Sequence, residues 1–191
     1  MSAWIEMVSD EDASQELMEV LNLSRTPHGT VDNVMRIHSL RPNTMKGHVT
    51  LYRAALHDEA NKIPMWFQET ISSYVSMLNN CDYSLANHWK NAVHLMDSEQ
   101  DAAKIEIALR EKCPEKVFEG ECLAMLEYAG KLTLNPGDMI EKDVEKLRNH
   151  GIDDGKILEL NQIVGYFNYV NRLLNGLGVK TTGDTVGFYK D

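Results

Sequence analysis

Cysteine is scarce in this chain: Cys81, Cys113 and Cys122 are the only three, and no two of them form a CxxC pair. That excludes an exported disulfide framework. In a reducing compartment each thiol is either core packing or a reactive group. Long hydrophobic runs are missing as well. The longest unbroken apolar stretch is Cys122–Leu126, against the roughly 20 residues that a membrane-spanning helix needs. Positive charge is in deficit, with 19 Lys and Arg against 29 Asp and Glu and a net charge of −10. That balance argues against nucleic acid and anionic membranes as partners. The opening residues, "MSAWIEMVSDEDASQE", carry acid where a secretory leader would carry base. No targeting segment is expected there, and a cytoplasmic location follows as the default.

What is present is helical periodicity. With 191 residues and 43% hydrophobic content, the chain can build one domain with a proper core, residues 1–191. Apolar residues recur every three or four positions, and nothing alternates as a strand would, so the class is all-α: a compact multi-helix bundle with short loops. Helices are predicted over about 11–23, 31–40, 42–56, 64–78, 81–96, 102–110, 114–131, 138–149 and from the "IDDGK" cap to "NGLG" near 178. Pro42, Pro64 and Pro114 are placed in opening turns and Ser98-x-x-Asp101 acts as a near capping box.

The stretch "NNCDYSLANHW" (79–89) carries the chemistry. Cys81, Ser84 and His88 are spaced i, i+3 and i+7, so a helix places them on one stripe. Asn79 and Asn80 are good capping residues, which puts Cys81 in the first turn. There, free N–H groups and the helix dipole favour a thiolate, against the adjacent charge of Asp82. Glu69 stands on the preceding helix, and a turn at the two asparagines would fold it back onto His88. A buried carboxylate on one imidazole nitrogen would aim the other toward position 84, as a histidine base requires. Taken singly, such residues are more often packing than catalysis.

Glu69, eleven residues, Cys81-Asp-Tyr-Ser84-Leu-Ala-Asn-His88 resembles the signature of the alkylhydroperoxidase D-like proteins of the carboxymuconolactone decarboxylase superfamily, in their peroxidase-related branch. That signature is a glutamate, eleven residues, then Cys-x-x-Cys-x-x-x-His. Ser76, Asn79 and Cys81 fit its "S..N.C" context. The segments "MRIHSLRPNTMKGHVTLYRAAL", "LEYAGKLTLNP" and "GYFNYVNRLLNGLGV" extend the likeness over most of the chain, with the motif region at about 45–110. The resemblance implies a bundle of that type, a homo-oligomer, neither metal nor cofactor, and hydroperoxide reduction by thiols. It makes Glu69 and His88 the proton relay and Cys81 the resolving thiol. Ser84 stands where the family has its peroxide-attacking cysteine, and a hydroxyl is not redox-active.

Three readings follow. Cys81 works as a one-cysteine peroxidase on a small hydroperoxide, with an external thiol or disulfide reductant to resolve it. Alternatively, the chain is a catalytically silent, oligomeric binding or scaffold member of the fold. The third is thiol-independent acid–base, decarboxylase-like chemistry at His88. Glu69, His88 and Ser84 also have the residue types of a hydrolase triad, but no nucleophile elbow accompanies them. Cys113 and Cys122 resolve Cys81 only if the fold brings them near. His38, His48, His57 and His94 form no ligand motif, although His48 is a candidate for the pocket wall. Asn168, Asn171 and Arg172 are read as satisfying helix ends or joining subunits rather than facing substrate. The ten Met residues read as filler of the core or of an interface between copies.

Overall fold

A computed structural model describes residues 2–96 and 98–189. Among them there are only helices, turns and extended connections: α1 (Gln15–Leu23), α2 (Asn33–Arg36), α3 (Pro42–Leu56), α4 (Met65–Leu78), α5 (Asp82–Leu95), α6 (Glu99–Arg110), α7 (Gly120–Leu134), α8 (Glu141–Asn149) and α9 (Asp154–Leu177), with single 3₁₀ turns at Pro114–Lys116 and Pro136–Asp138. Among the described residues no helix is long and apolar enough to cross a membrane.

The central element is α4, buried on nearly every side from Phe67 to Leu78. A helix so enclosed must satisfy its own polar side chains. Its hydroxyls turn back onto the preceding turn: Thr70 donates to the Trp66 carbonyl at 2.8 Å, Ser72 to Gln68 at 2.6 Å, Ser73 to Glu69 at 2.8 Å and Ser76 to Ser72 at 2.8 Å. These small residues let neighbouring helices approach closely while Phe67, Ile71, Tyr74, Val75 and Leu78 supply the apolar contacts. Helices α5, α7 and α9 pack around it. The α4–α5 hairpin closes at Asn79 and Asn80, and Asn80 adopts φ +50°, a left-handed conformation that asparagine tolerates better than most residues.

A smaller apolar cluster joins α1, the α2 region and α3 through Leu17, Leu21, Met35, Met45 and Val49. The segment after α9 doubles back across α2 and α5. Lys180 N–H donates to Ser2, Asn33 Nδ2 to the Lys180 carbonyl, Gly187 N–H to Asn87 Oδ1 and Phe188 N–H to Asn91 Oδ1.

Several helix bounds depart from the periodicity: the expected 31–40 is helical only at Asn33–Arg36, α6 starts at Glu99 ahead of the expected 102, and α8 starts at Glu141 after the expected 138. The expected helix 11–23 begins at Gln15, because the Ser14 hydroxyl captures Leu17 N–H. The acidic residues before it serve elsewhere, with Asp10 bridging Arg25 at 2.8 Å and Arg36 at 2.6 Å. The expected helix 114–131 is interrupted. Pro114–Lys116 makes one 3₁₀ turn, and α7 starts afresh at Gly120, whose φ of +56° ends the first turn's path. Phe118, between them, packs its ring against Phe67. Apolar spacing survives such a break, so the sequence does not reveal it.

Candidate active site

Glu69 lies mid-way along α4 and is 1% exposed. Across the hairpin, α5 presents His88, and Nδ1 lies 2.6 Å from Glu69 Oε2. Asn91, one turn further along α5, donates Nδ2–H to Glu69 Oε1 at 3.1 Å. Both carboxylate oxygens are therefore occupied. The edge-on ring of Phe167 from α9, 4.6 Å between centroids, fixes the plane of the imidazole. With Nδ1–H committed to a carboxylate, the neutral imidazole carries a bare Nε2, the arrangement of a general base.

His88 lines a cavity of about 600 Å³, within the size range of small-molecule sites. Ser84 and Asn91 of α5, Tyr52 of α3, Tyr166 of α9, Asp32 before α2, and Phe188 of the returning segment share its wall. The Ser84 hydroxyl is 3% exposed and hydrogen-bonded with Ser76 Oγ at 2.9 Å. Glu69 stands behind His88 and does not itself reach the cavity wall.

The cysteines lie elsewhere. Cys81 is not in the first turn of α5 but is its N-cap, 1% exposed and absent from the cavity wall. Burial pushes its thiol up to about 11, and Asp82 adds to that. The backbone N–H groups of Ser84 and Tyr83 pull the other way without overcoming it. The expected activation of Cys81 is thus reversed: desolvation outweighs the helix terminus. Cys113 and Cys122 are partly exposed and free, and neither lines the cavity.

His48, the candidate for the pocket wall, does not line the cavity. It is buried in a hydrogen-bonded chain that ends there. Thr44 Oγ1 gives its proton to the Arg41 carbonyl at 2.8 Å, so it accepts from His38 Nδ1–H at 2.9 Å. His38 Nε2 then accepts from His48 Nδ1–H at 2.8 Å, and His48 Nε2 accepts the Tyr166 hydroxyl proton at 2.9 Å. Burial keeps both imidazoles neutral, lowering His38 and taking His48 down to about 3, with His38 nearby reinforcing the latter.

Asn168, Asn171 and Arg172 keep to structural work. Asn171 Nδ2 bonds Ser76 Oγ at 3.3 Å, Asn168 accepts from Asn79 Nδ2 at 3.1 Å beside the end of α4, and Arg172 donates to Asn168. Asp32, His57, Asn91 and Phe188 were not legible as site residues. Only Asn91 carried a signal, since position 91 extends the 81, 84, 88 stripe by one turn. Among the described residues, no group of three His, Cys, Asp or Glu side chains is placed to hold a metal ion.

A scan of protein-family models and a search of curated proteins gave no match. Solved structures do match. A peroxidase-related protein of Ralstonia eutropha JMP134, described as an alkylhydroperoxidase AhpD core, superposes with TM-score 0.80 at 19% identity, over 96% of this chain and 94% of that one. A peroxidase-related protein of Silicibacter sp. TM1040 gives TM-score 0.80 at 20% identity, over 96% and 93%. The debrominase Bmp8, in a variant bound to 2,3,4-tribromopyrrole, gives TM-score 0.74 at 15% identity, over 95% and 92%. The chain has the alkylhydroperoxidase D-like fold, and that fold also carries debromination.

Proposed function

We propose that this chain is a small-molecule enzyme working by acid–base chemistry at His88, and that it runs no dithiol cycle. The observation that carries the reading is that the Glu69-backed imidazole and Ser84 line the cavity while Cys81 does not. His88 Nε2 takes a proton from a ligand held there. The imidazolium so formed is stabilised by the Glu69 carboxylate 2.6 Å from Nδ1, and the proton returns from Nε2 to the product. Ser84 supplies a neutral hydroxyl to the wall. The bound tribromopyrrole of the structurally similar debrominase supports a ring-sized occupant over a small peroxide.

A second reading keeps Cys81 as a one-cysteine peroxidase. The Tyr83 and Ser84 N–H groups directed at its sulfur favour it. The thiolate sulfur would attack a hydroperoxide oxygen, the O–O bond would break with an alcohol leaving, and an external thiol would reduce the sulfenic acid.

One experiment separates the two. The protein and its Ser84→Cys variant are each given one equivalent of organic hydroperoxide with a sulfenic-acid trap, and intact masses are read. The acid–base reading expects no trapped species on the native chain. The variant should react and lose two hydrogens as Cys81 and position 84 form a disulfide. A trapped sulfenic acid at Cys81 in the native protein overturns the first reading in favour of the second.

A further inference from the structure

Asp32 is the N-cap residue of α2, yet its side chain caps nothing. Asp184 has taken that task, since Asn33 N–H reaches both its carboxylate oxygens at 3.1 Å. Among the described residues the Asp32 carboxylate is left with no donor, and its Oδ1 is buried without a partner. Nor does a cation compensate it. Arg25 is spent on Asp10, Asn22 and the Gly29 carbonyl, and Arg53 donates to the Leu23 carbonyl. Burial, with the Asp184 charge beside it, raises Asp32 to about 7. A group this costly that the fold does not use belongs to a site.

Asp32 lines the same cavity as His88, and so does His57, whose Nε2 is likewise buried and unpartnered. Two further groups of the wall, Tyr166 and His88, offer lone pairs. Tyr166 has given its only proton to His48, and His88 Nε2 is bare in the neutral ring. The Asn87 and Asn91 amides each commit one N–H, to the Tyr83 carbonyl and to Glu69. The wall thus pairs a donor-free carboxylate at Asp32 with the aromatic rings of Tyr52, Tyr166 and Phe188, while the Tyr52 hydroxyl and the uncommitted N–H groups of Arg53 are donors on the same wall.

We propose that the cavity takes a flat, ring-sized ligand that presents an N–H or O–H donor to Asp32, and that it discriminates against acceptor-only isosteres of the same shape. The inference rests on the acid–base reading only for the location of the site. It names the ligand class, and Asp32 rejects a ligand without the donor because its carboxylate then stays unpaired.

The test is binding, read without turnover. Indole and benzofuran share a shape and differ in the N–H. Titration calorimetry or ligand-observed NMR at about pH 8, with Asp32 mostly ionised, compares the two on the intact protein. The expected result is indole tighter by about tenfold or more, with the ratio falling toward one in Asp32→Ala and benzofuran affinity unchanged. Asp32→Asn keeps the shape of the side chain, and there the ratio should fall part of the way. Equal affinities in the native protein, no binding of either at millimolar concentration, or a ratio untouched in both variants each overturn the proposal. None of these outcomes bears on the sulfenic-acid experiment, so the two readings fail separately.

Discussion

Glu69 is held by two donors from one face of α5, which makes it the residue whose loss the site can least absorb. Replacing it with alanine leaves the His88 Nδ1–H and an Asn91 N–H unpaired inside the protein. Glu69→Ala should cost about 1–3 kcal/mol in urea unfolding, and ¹⁵N shifts should show the Nδ1–H tautomer of His88 no longer dominant. A native-like tautomer in that variant would mean that Phe167 alone sets the ring. At Cys81 the physics runs toward inertness. With the thiol raised to about 11 against an ordinary value near 8.5, alkylation at pH 8 should be slower than in the unfolded chain by about two orders of magnitude. A rate close to the unfolded one would restore Cys81 as a nucleophile.

Among the elements, legibility followed the kind of signal each left. Pro42 opens α3 and Ser98 caps α6 through Asp101 N–H, because cap chemistry is local and leaves residue types in fixed places. The Glu69–His88 pairing was legible because a two-residue turn leaves the α4–α5 hairpin little freedom. Asp32, His57 and Phe188 were not. They reach the cavity from three separate segments, and no spacing in the sequence records a meeting that only the tertiary fold arranges. The end of α9 shows the same contrast. The glycine in "NGLG" announces a left-handed cap, and Gly178 has φ +59°. What the sequence hides is Trp4: a Cβ at position 178 would lie 2.2 Å from its ring. Gly178→Ala should therefore cost more than the roughly 1 kcal/mol of the backbone term alone, about 2–3 kcal/mol in urea unfolding. A loss confined to the backbone term would show that Trp4 yields freely.

Over the whole molecule, two buried groups tilt stability in opposite directions with pH. His48 titrates at about 3 in the fold and near 6.5 unfolded, so between those values the unfolded chain binds more protons and stability rises with pH. Asp32 titrates at about 7 in the fold and near 3.9 unfolded, so the native state binds more protons and stability falls as pH rises. The swing is at most roughly 5 kcal/mol for His48 and roughly 4 kcal/mol for Asp32, and that of Asp32 is reduced by solvent in the cavity. The two overlap from about pH 4 to 6.5 and offset one another. Urea midpoints should stay nearly level there in the native chain and climb with pH in Asp32→Asn; a variant as level as the native chain would remove Asp32 from the balance. The chain of hydrogen bonds from Thr44 through His38 and His48 to Tyr166 also spans the protein from its surface to the cavity wall. Its inner protons are shut away from bulk water, so they should exchange slowly and resonate far downfield, apart from the other ring N–H signals. Because the last of them sits on a cavity-wall tyrosine, those resonances are a built-in spectroscopic gauge of occupancy: a ligand that settles against Tyr166 moves them, with no label or substitution needed.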